Sequence, residues 1–463
     1  MKDAKQWSEE LFYHKKSVYD RKSTTDVASA YAYAKGYAAY LDAAKTEREA
    51  VRTSIALATE QGFLPYALGD KVEVGGKYYY NNRDKNLFLF TVGSEPLENG
   101  IRISAAHIDS PRLDLKQSPL YEEGGMSFLK THYYGGIRKY QWVTIPLALH
   151  GVVVKKDGTR VEVCVGEDES DPVFYINDLL PHLGRASEKQ PLGEAIPGEK
   201  LNILVGSRPF AGEGVDDAIK LQTMILLNEK YGITEEDFLS AELSAVPAFK
   251  ARDIGFDRSL IGAYGHDDRV CAYPALSAIF DSADSTHTLM CVLADKEETG
   301  SDGNTGMKCD LLLDIIHELS RALGADPAVV RANSKCLSAD VSAAFDPNFP
   351  DVFEKRNTPL LSAGVVLTKF TGSGGKSGTN DASAEYVGWL RAVMDAADVV
   401  WQAGELGKVD CGGGGTVAKF LSQHNIETVD LGVPVIAMHA PYEVISKVDL
   451  YEAYRAFCAF SRA

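Results

Sequence analysis

From about residue 255 onward the chain repeats one pattern, and that pattern restricts its fold more than any other feature. A short apolar run ends on ionisable residues, and a longer helical stretch follows. HTLMCVLADKEE (287–298) reads as a strand and MKCDLLLDIIHELSRALG (307–324) as a helix. SKCLSADVS (334–342) is a short strand, and GTNDASAEYVGWLRAVMDAAD (378–398) is a helix. ETVDLGVPVIAMHAPYE (427–443) is a buried strand, and KVDLYEAYRAFCAFSRA (447–463) closes the chain as a helix. Strands that alternate with helices predict an α/β sheet covered by helices on both faces. In such sheets the strand ends are where sites are built.

The rest of the chain has a different texture. The first 60 residues read as helical, with Ala-rich apolar positions at helical spacing and Gly62 at a helix end. KYYYNNRDKNLFLFTVG and IRISAAHIDSP read as strands, the second ending near His107. Between about 115 and 250 the chain turns β-rich, with KKDG (155–158) as a hairpin turn and one helix in GVDDAIKLQTMILLNEKYG. No fixed-period repeat and no low-complexity linker is present.

Composition matters mainly for what it excludes. The 463 residues carry a net charge of −17, which argues against a nucleic-acid binder and against docking on anionic lipid. The seven cysteines are odd in number and none are spaced as CxxC, which predicts a reduced, cytoplasmic protein without a thiolate zinc site. MKDAKQWSEELFYHKK has no apolar signal core, and no apolar stretch is long enough to predict a membrane span.

Five strand exits carry ionisable residues. ISAAHIDSPR holds His107 and Asp109, two positions apart and so on one face of a strand. YGHDDRVCAY holds Asp267 and Asp268, LADKEETGS holds Glu297 and Glu298, CLSADVSAAFDP holds Asp340, and GVPVIAMHAPYE holds His439. Taken singly, each has a plainer role as a core histidine, a helix cap or a turn. Together they supply imidazoles and carboxylates for a pair of divalent metals, without sulfur. Two metals roughly 3.5–4 Å apart need a bridging carboxylate, and Asp267 is the best candidate. Adjacent side chains point differently, so the two glutamates divide the work: Glu298 as a metal ligand, Glu297 as the proton carrier. Asp109 is placed to support the His107 ring from behind.

These motifs, in this order, resemble the aspartyl aminopeptidases, a family of co-catalytic zinc exopeptidases. The resemblance runs from AAHIDSPRLDLK through GHDDRVCAY, DKEETGS and LSADVSAAFDPNFP to SGTNDASAEY, DCGGGGTVA and LGVPVIAMH. It implies a helix-covered mixed β-sheet catalytic domain (1–114 and 250–463) with an inserted β-rich dimerisation domain (115–249). It implies two metals, zinc with cobalt or manganese as alternatives, one on His107 and Asp340 and the other on Glu298 and His439, with Asp267 bridging. It also implies a cis peptide at Asp267-Asp268 and removal of N-terminal residues, acidic or neutral such as Leu, from peptides. Dimers would assemble into a tetrahedral dodecamer, and His150 of IPLALH is the match for a histidine that reaches a neighbouring subunit's site.

One segment invites another reading. GVVLTKFTGSGGKSGTNDA (364–382) looks like a strand entering a phosphate loop, but a P-loop needs glycine where Phe370 stands. Nucleotide binding is therefore the alternative kept beside the peptidase. In the peptidase reading, Lys369 and Lys376 would supply positive charge for an acidic side chain, and Gly413 and Thr416 of DCGGGGT would let backbone approach the substrate.

Overall fold

The computed structural model describes residues 2–212 and 214–463. Its central sheet has nine strands, numbered here in chain order: β1 Leu64–Pro65, β2 Lys77–Asn82, β3 Asn86–Thr91, β4 Arg102–His107, β5 Leu289–Ala294, β6 Lys335–Ser338, β7 Val365–Thr368, β8 Trp401–Ala403 and β9 Glu427–Gly432. Their order across the sheet is β1-β2-β3-β5-β4-β6-β9-β7-β8. The middle four, β5, β4, β6 and β9, run parallel, so their carboxyl ends emerge on one edge. Antiparallel β3 and β7 flank them, which makes the sheet mixed.

Strand β5 shows why the sheet must be covered twice. Leu289, Cys291 and Leu293 enter one apolar cluster, while Met290, Val292 and Ala294 enter another. All six are buried. Fully burying a Leu or Val side chain contributes about 1.5–3 kcal/mol, so neither face can be left to solvent. The helices Thr24–Ala43, Glu47–Glu60, His266–Asp281, Ala384–Ala396 and Lys447–Ser461 contribute to the first cluster. Leu311–Leu323, Pro327–Asn333 and Ala418–Ser422 contribute to the second.

A seven-stranded antiparallel sheet takes all its strands from residues 112–247, beginning with Arg112–Glu123 and ending with Ala241–Pro247. The helix Ala218–Tyr231 packs on it through Met224 and Leu227 and ends on Gly232 in the left-handed conformation. The expected boundary at 115 falls inside this sheet's first strand, which starts only a few residues after β4 ends.

A third sheet joins Arg252–Ile254, Leu260–Ala263, Glu443–Ser446, Pro434–Ile436 and Ser342–Ala343. It corrects one expectation: ETVDLGVPVIAMH is two strands, not one. The chain leaves the central sheet at Gly432 and enters the third at Pro434, whose missing N–H breaks the ladder. A Cβ on Gly432 would collide with the Asp340 backbone, so only glycine lets the two site-bearing segments pass this closely. The helix expected from 378 starts at Ala384, capped by Ser383. The glycine-rich loop after β7 therefore does not open a helix, which removes the feature that a phosphate loop depends on.

Candidate metal centre

His107 ends β4, and Asp109 lies just beyond it, where the chain crosses into the seven-stranded sheet. The His107 ring donates from Nδ1 to the Asp109 carbonyl at 3.0 Å, with the Asp109 carboxylate 3.3 Å away. Its Nε2 faces Asp267 Oδ1 at 3.1 Å and Asp340 Oδ1 at 3.9 Å. His439 repeats the arrangement: Nδ1 donates to the Gly136 carbonyl at 2.7 Å, and Nε2 faces Asp267 Oδ2 at 3.2 Å and Glu298 Oε2 at 3.5 Å. Tying Nδ1–H to an acceptor fixes the tautomer and leaves Nε2 free for a metal.

Asp267 lies between the two rings, with one carboxylate oxygen toward each. Its backbone is non-helical where the helix His266–Asp281 begins, and the Asp267-Asp268 peptide is cis. Glu443 holds this segment: its carboxylate accepts the Asp267 N–H at 3.1 Å and the His439 N–H at 2.8 Å. Asp109 does the same for the glutamate pair, accepting the N–H groups of Glu297 and Glu298 at 3.2 Å each and the Tyr134 hydroxyl at 2.8 Å.

The donors His107, Asp267 and Glu298 lie within 4.8 Å of one another, and so do His107, Asp268 and Asp340. Glu298 Oε1 and both Asp268 carboxylate oxygens are buried without a hydrogen-bond partner. Burial pushes Asp268, Glu298 and Asp340 well above the usual carboxylate range, and neighbouring carboxylates add to the push. Burial likewise raises Glu297 to about 7 and Glu443 to about 8. Burial opposes charge on Asp267 as well, but the adjoining His107 and His439 rings hold it below its ordinary value. Crowded carboxylates with orphaned oxygens are what a cationic centre would satisfy, and the donor set, nitrogen and oxygen only, fits divalent metals.

The centre opens into a cleft of about 460 Å³, lined by Glu297, Asp340, Thr371, Leu406, Gly413, Thr416, Lys419, Phe420, Asp430 and Met438 among others. A Cβ on Gly413 would strike the Gly372 backbone, so the two glycine-rich loops meet backbone to backbone at the cleft wall. Thr416 donates to Asp430 Oδ1 at 2.7 Å, while Asp430 Oδ2 is buried without a partner. Burial raises Asp430 to about 6.

Three expected residues lie elsewhere. Lys369 and Lys376 both pair with Asp381, because their loop folds back on itself through Phe370–Asp381 and Ser373–Ser377 bridges. Lys376 borders a small adjacent hollow, and Lys419 lines the cleft itself. His150 is 2 % exposed in the seven-stranded sheet, with both ring nitrogens facing carboxylates of its own chain, Glu49 and Glu167. That engagement opposes a reach into a neighbour's site. Sequence reasoning assigned no role to Asp268, Tyr134, Glu443, Lys419 or Asp430. Glu443 closes the quoted GVPVIAMHAPYE, but nothing local distinguishes it from a solvated acid.

The central sheet brings His107, the glutamate pair and Asp340 to one edge, the third sheet adds Asp267 and His439, and imidazoles and carboxylates gathered beside an open cleft are the donor set of a metal-dependent hydrolase. The family model described as "Aminopeptidase I zinc metalloprotease (M18)" matches residues 40–461. The chain belongs to that family. It is 47% identical over 459 residues to the probable M18 family aminopeptidase 1 of Clostridium acetobutylicum, covering 97% of this chain and 99% of the relative. The crystal structure of an M18 aminopeptidase from Thermotoga maritima superposes with a TM-score of 0.93 at 42% identity, covering 97% of this chain and 100% of that one. The mApe1 dodecamer of S. cerevisiae shares the fold at a TM-score of 0.76 and 21% identity, covering 92% of this chain and 96% of that one. Among the described residues no helix is long and apolar enough to cross a membrane.

Proposed function

We propose that the cleft removes single residues from peptide N-termini, with His107 and Asp340 holding one divalent metal, Glu298 and His439 holding a second, and Asp267 shared between them. The single observation that carries this reading is the placement of Asp267, each of whose oxygens faces a different imidazole. Zinc, cobalt or manganese bound there would polarise the scissile carbonyl and acidify a water. Glu297 takes the proton of the attacking water and returns it to the leaving amine, a task suited to a carboxyl raised to about 7. Asp109 fixes the main chain of both glutamates, so the base and the ligand beside it keep separate directions.

The cleft walls address the N-terminal side chain. Lys419 lines the cleft, and among the described residues no carboxylate lies within ion-pair distance of it. Leu406, Phe420 and Met438 supply apolar surface around it. Lys419 favours an acidic side chain, and the apolar wall favours leucine. The deciding measurement is kcat/KM on Asp- and Leu-p-nitroanilide, with protein reconstituted in Zn²⁺, Mn²⁺ or Co²⁺ and an EDTA-treated control. An acidic preference above about tenfold, or about 1.4 kcal/mol, is expected to disappear in Lys419→Met while leucine turnover persists. A leucine preference that Lys419→Met leaves unchanged assigns the pocket to its apolar wall. No turnover of either substrate with any metal would overturn the aminopeptidase reading.

Subunit contact belongs to the insert in this reading. Leu179, Leu180, Leu183 and Leu192 are exposed on it, an apolar surface that a partner would cover. Light scattering is expected to give a dodecamer built from dimers. A monomer at micromolar concentration would overturn that assembly.

A further inference from the structure

A second cluster of metal-type donors lies outside the cleft, at the junction of the insert and the catalytic part. His150 on the strand Leu147–Val154 and Cys164 on the strand Arg160–Val165 are direct cross-strand partners. Glu49, on the helix Glu47–Glu60, approaches the same point from the catalytic side. One donor atom from each lies within 4.8 Å of the others. His150 Nδ1 is 2.7 Å from Glu49 Oε1 and 3.8 Å from Cys164 Sγ.

We propose that Glu49, His150 and Cys164 form a third metal site, selective for a borderline-soft divalent cation of the zinc type, that fastens the insert to the catalytic part. The ligands are held as a metal site requires. Glu49 Oε2 is committed to the N–H groups of Lys45 and Thr46 at 3.1 and 3.0 Å, which leaves Oε1 to face His150. His150 Nε2 meets Glu167 Oε1 at 3.1 Å, the carboxylate support that metal-bound imidazoles usually have. Glu167 is itself fixed by Lys45 at 2.6 Å and Lys250 at 2.5 Å.

The spacing is close to what zinc needs. Bonds of about 2.0 Å to N and O and about 2.3 Å to S set tetrahedral separations of about 3.3 Å (N to O) and about 3.5 Å (N to S). Closing on a metal therefore moves Glu49 outward by about 0.6 Å and Cys164 inward by about 0.3 Å. Binding releases the His150 Nδ1 proton and the Cys164 thiol proton to solvent; Glu49 enters as the carboxylate. Cys164 is exposed, so the cation has a way in and solvent can complete its shell. The thiolate distinguishes this site from the cleft, whose donors are nitrogen and oxygen alone.

The test is a Co²⁺ titration of the EDTA-treated full-length protein, read by its near-ultraviolet thiolate-to-cobalt absorption, with bound Zn²⁺ counted in parallel. The wild type is expected to show the band and to hold one more Zn²⁺ per chain than Cys164→Ser. Cys164→Ser should lose the band and keep its aminopeptidase activity, while Cys411→Ser, at the other exposed thiol, should keep both. A missing band, or a band that survives Cys164→Ser, overturns the proposal.

Discussion

Glu297→Gln is expected to lower kcat by about 10²- to 10⁴-fold while the protein keeps its full complement of metal. Glutamine has nearly the same shape, so the cleft is not reshaped; it lacks only the ability to accept and return a proton. The main-chain N–H that anchors residue 297 on Asp109 is untouched by the change. The lost transition-state stabilisation would be about 2.7–5.4 kcal/mol, since each tenfold in rate is about 1.36 kcal/mol. The neighbouring variant is the control that gives the result meaning. Glu298 turns Oε2 toward His439 and buries an unpartnered Oε1, so Glu298→Gln should lose metal as well as rate. Kinetics on a chromogenic substrate, paired with metal analysis of both proteins, separates the two roles. Equal metal loss in the two variants would refute the division of labour.

What could be read from sequence, and what could not, follows the range of the interactions. His107 and His439 directly follow apolar residues, and Glu297, Glu298 and Asp340 lie within a few residues of an apolar run, a local signal that survives without coordinates. The same signal misleads at His150. IPLALH is also an apolar run ending on histidine, but its strand belongs to the seven-stranded sheet, and its ring is engaged by Glu49 and Glu167. Periodicity reports that a strand is buried, not which sheet it joins. Residues that position the centre were harder still. Asp109 and Glu297 are 188 positions apart, and Glu443 is 176 from Asp267. Neither contact has any local trace. Lys419 shows the same limit from the other side: Lys369 and Lys376 stand in the more conspicuous glycine-rich loop, yet Asp381 pairs with both. The division of the GVPVIAMH strand was partly legible, because Pro434 cannot donate to a ladder. The need for glycine at 432 was not, because it depends on the Asp340 backbone arriving from another strand.

Asp267→Asn should cost both metal and activity. Among the described residues this carboxylate alone is paired with both His107 and His439, at 3.1 and 3.2 Å. Asparagine keeps the size and the backbone contacts, including the N–H donated to Glu443 and the carbonyl that accepts from Ser110. What disappears is the negative charge and one of the two acceptor oxygens, so the amide cannot serve two cations. Loss of a supporting contact alone typically weakens metal binding by 10- to 100-fold, and a shared ligand should cost at least that at each position. Losing the metals removes several kcal/mol of charge stabilisation, so kcat/KM is expected to fall at least about 10³-fold, toward the EDTA-treated wild type. Thermal unfolding supplies a readout independent of turnover. Metal at 100 times its dissociation constant stabilises a native protein by about 2.7 kcal/mol, a gain the wild type should show on adding Zn²⁺ and Asp267→Asn should largely lack. A variant that melts like the wild type without metal but gains nothing from Zn²⁺ would place the loss in the centre and not in the fold. Undiminished metal content in Asp267→Asn would mean that the two positions do not share this carboxylate.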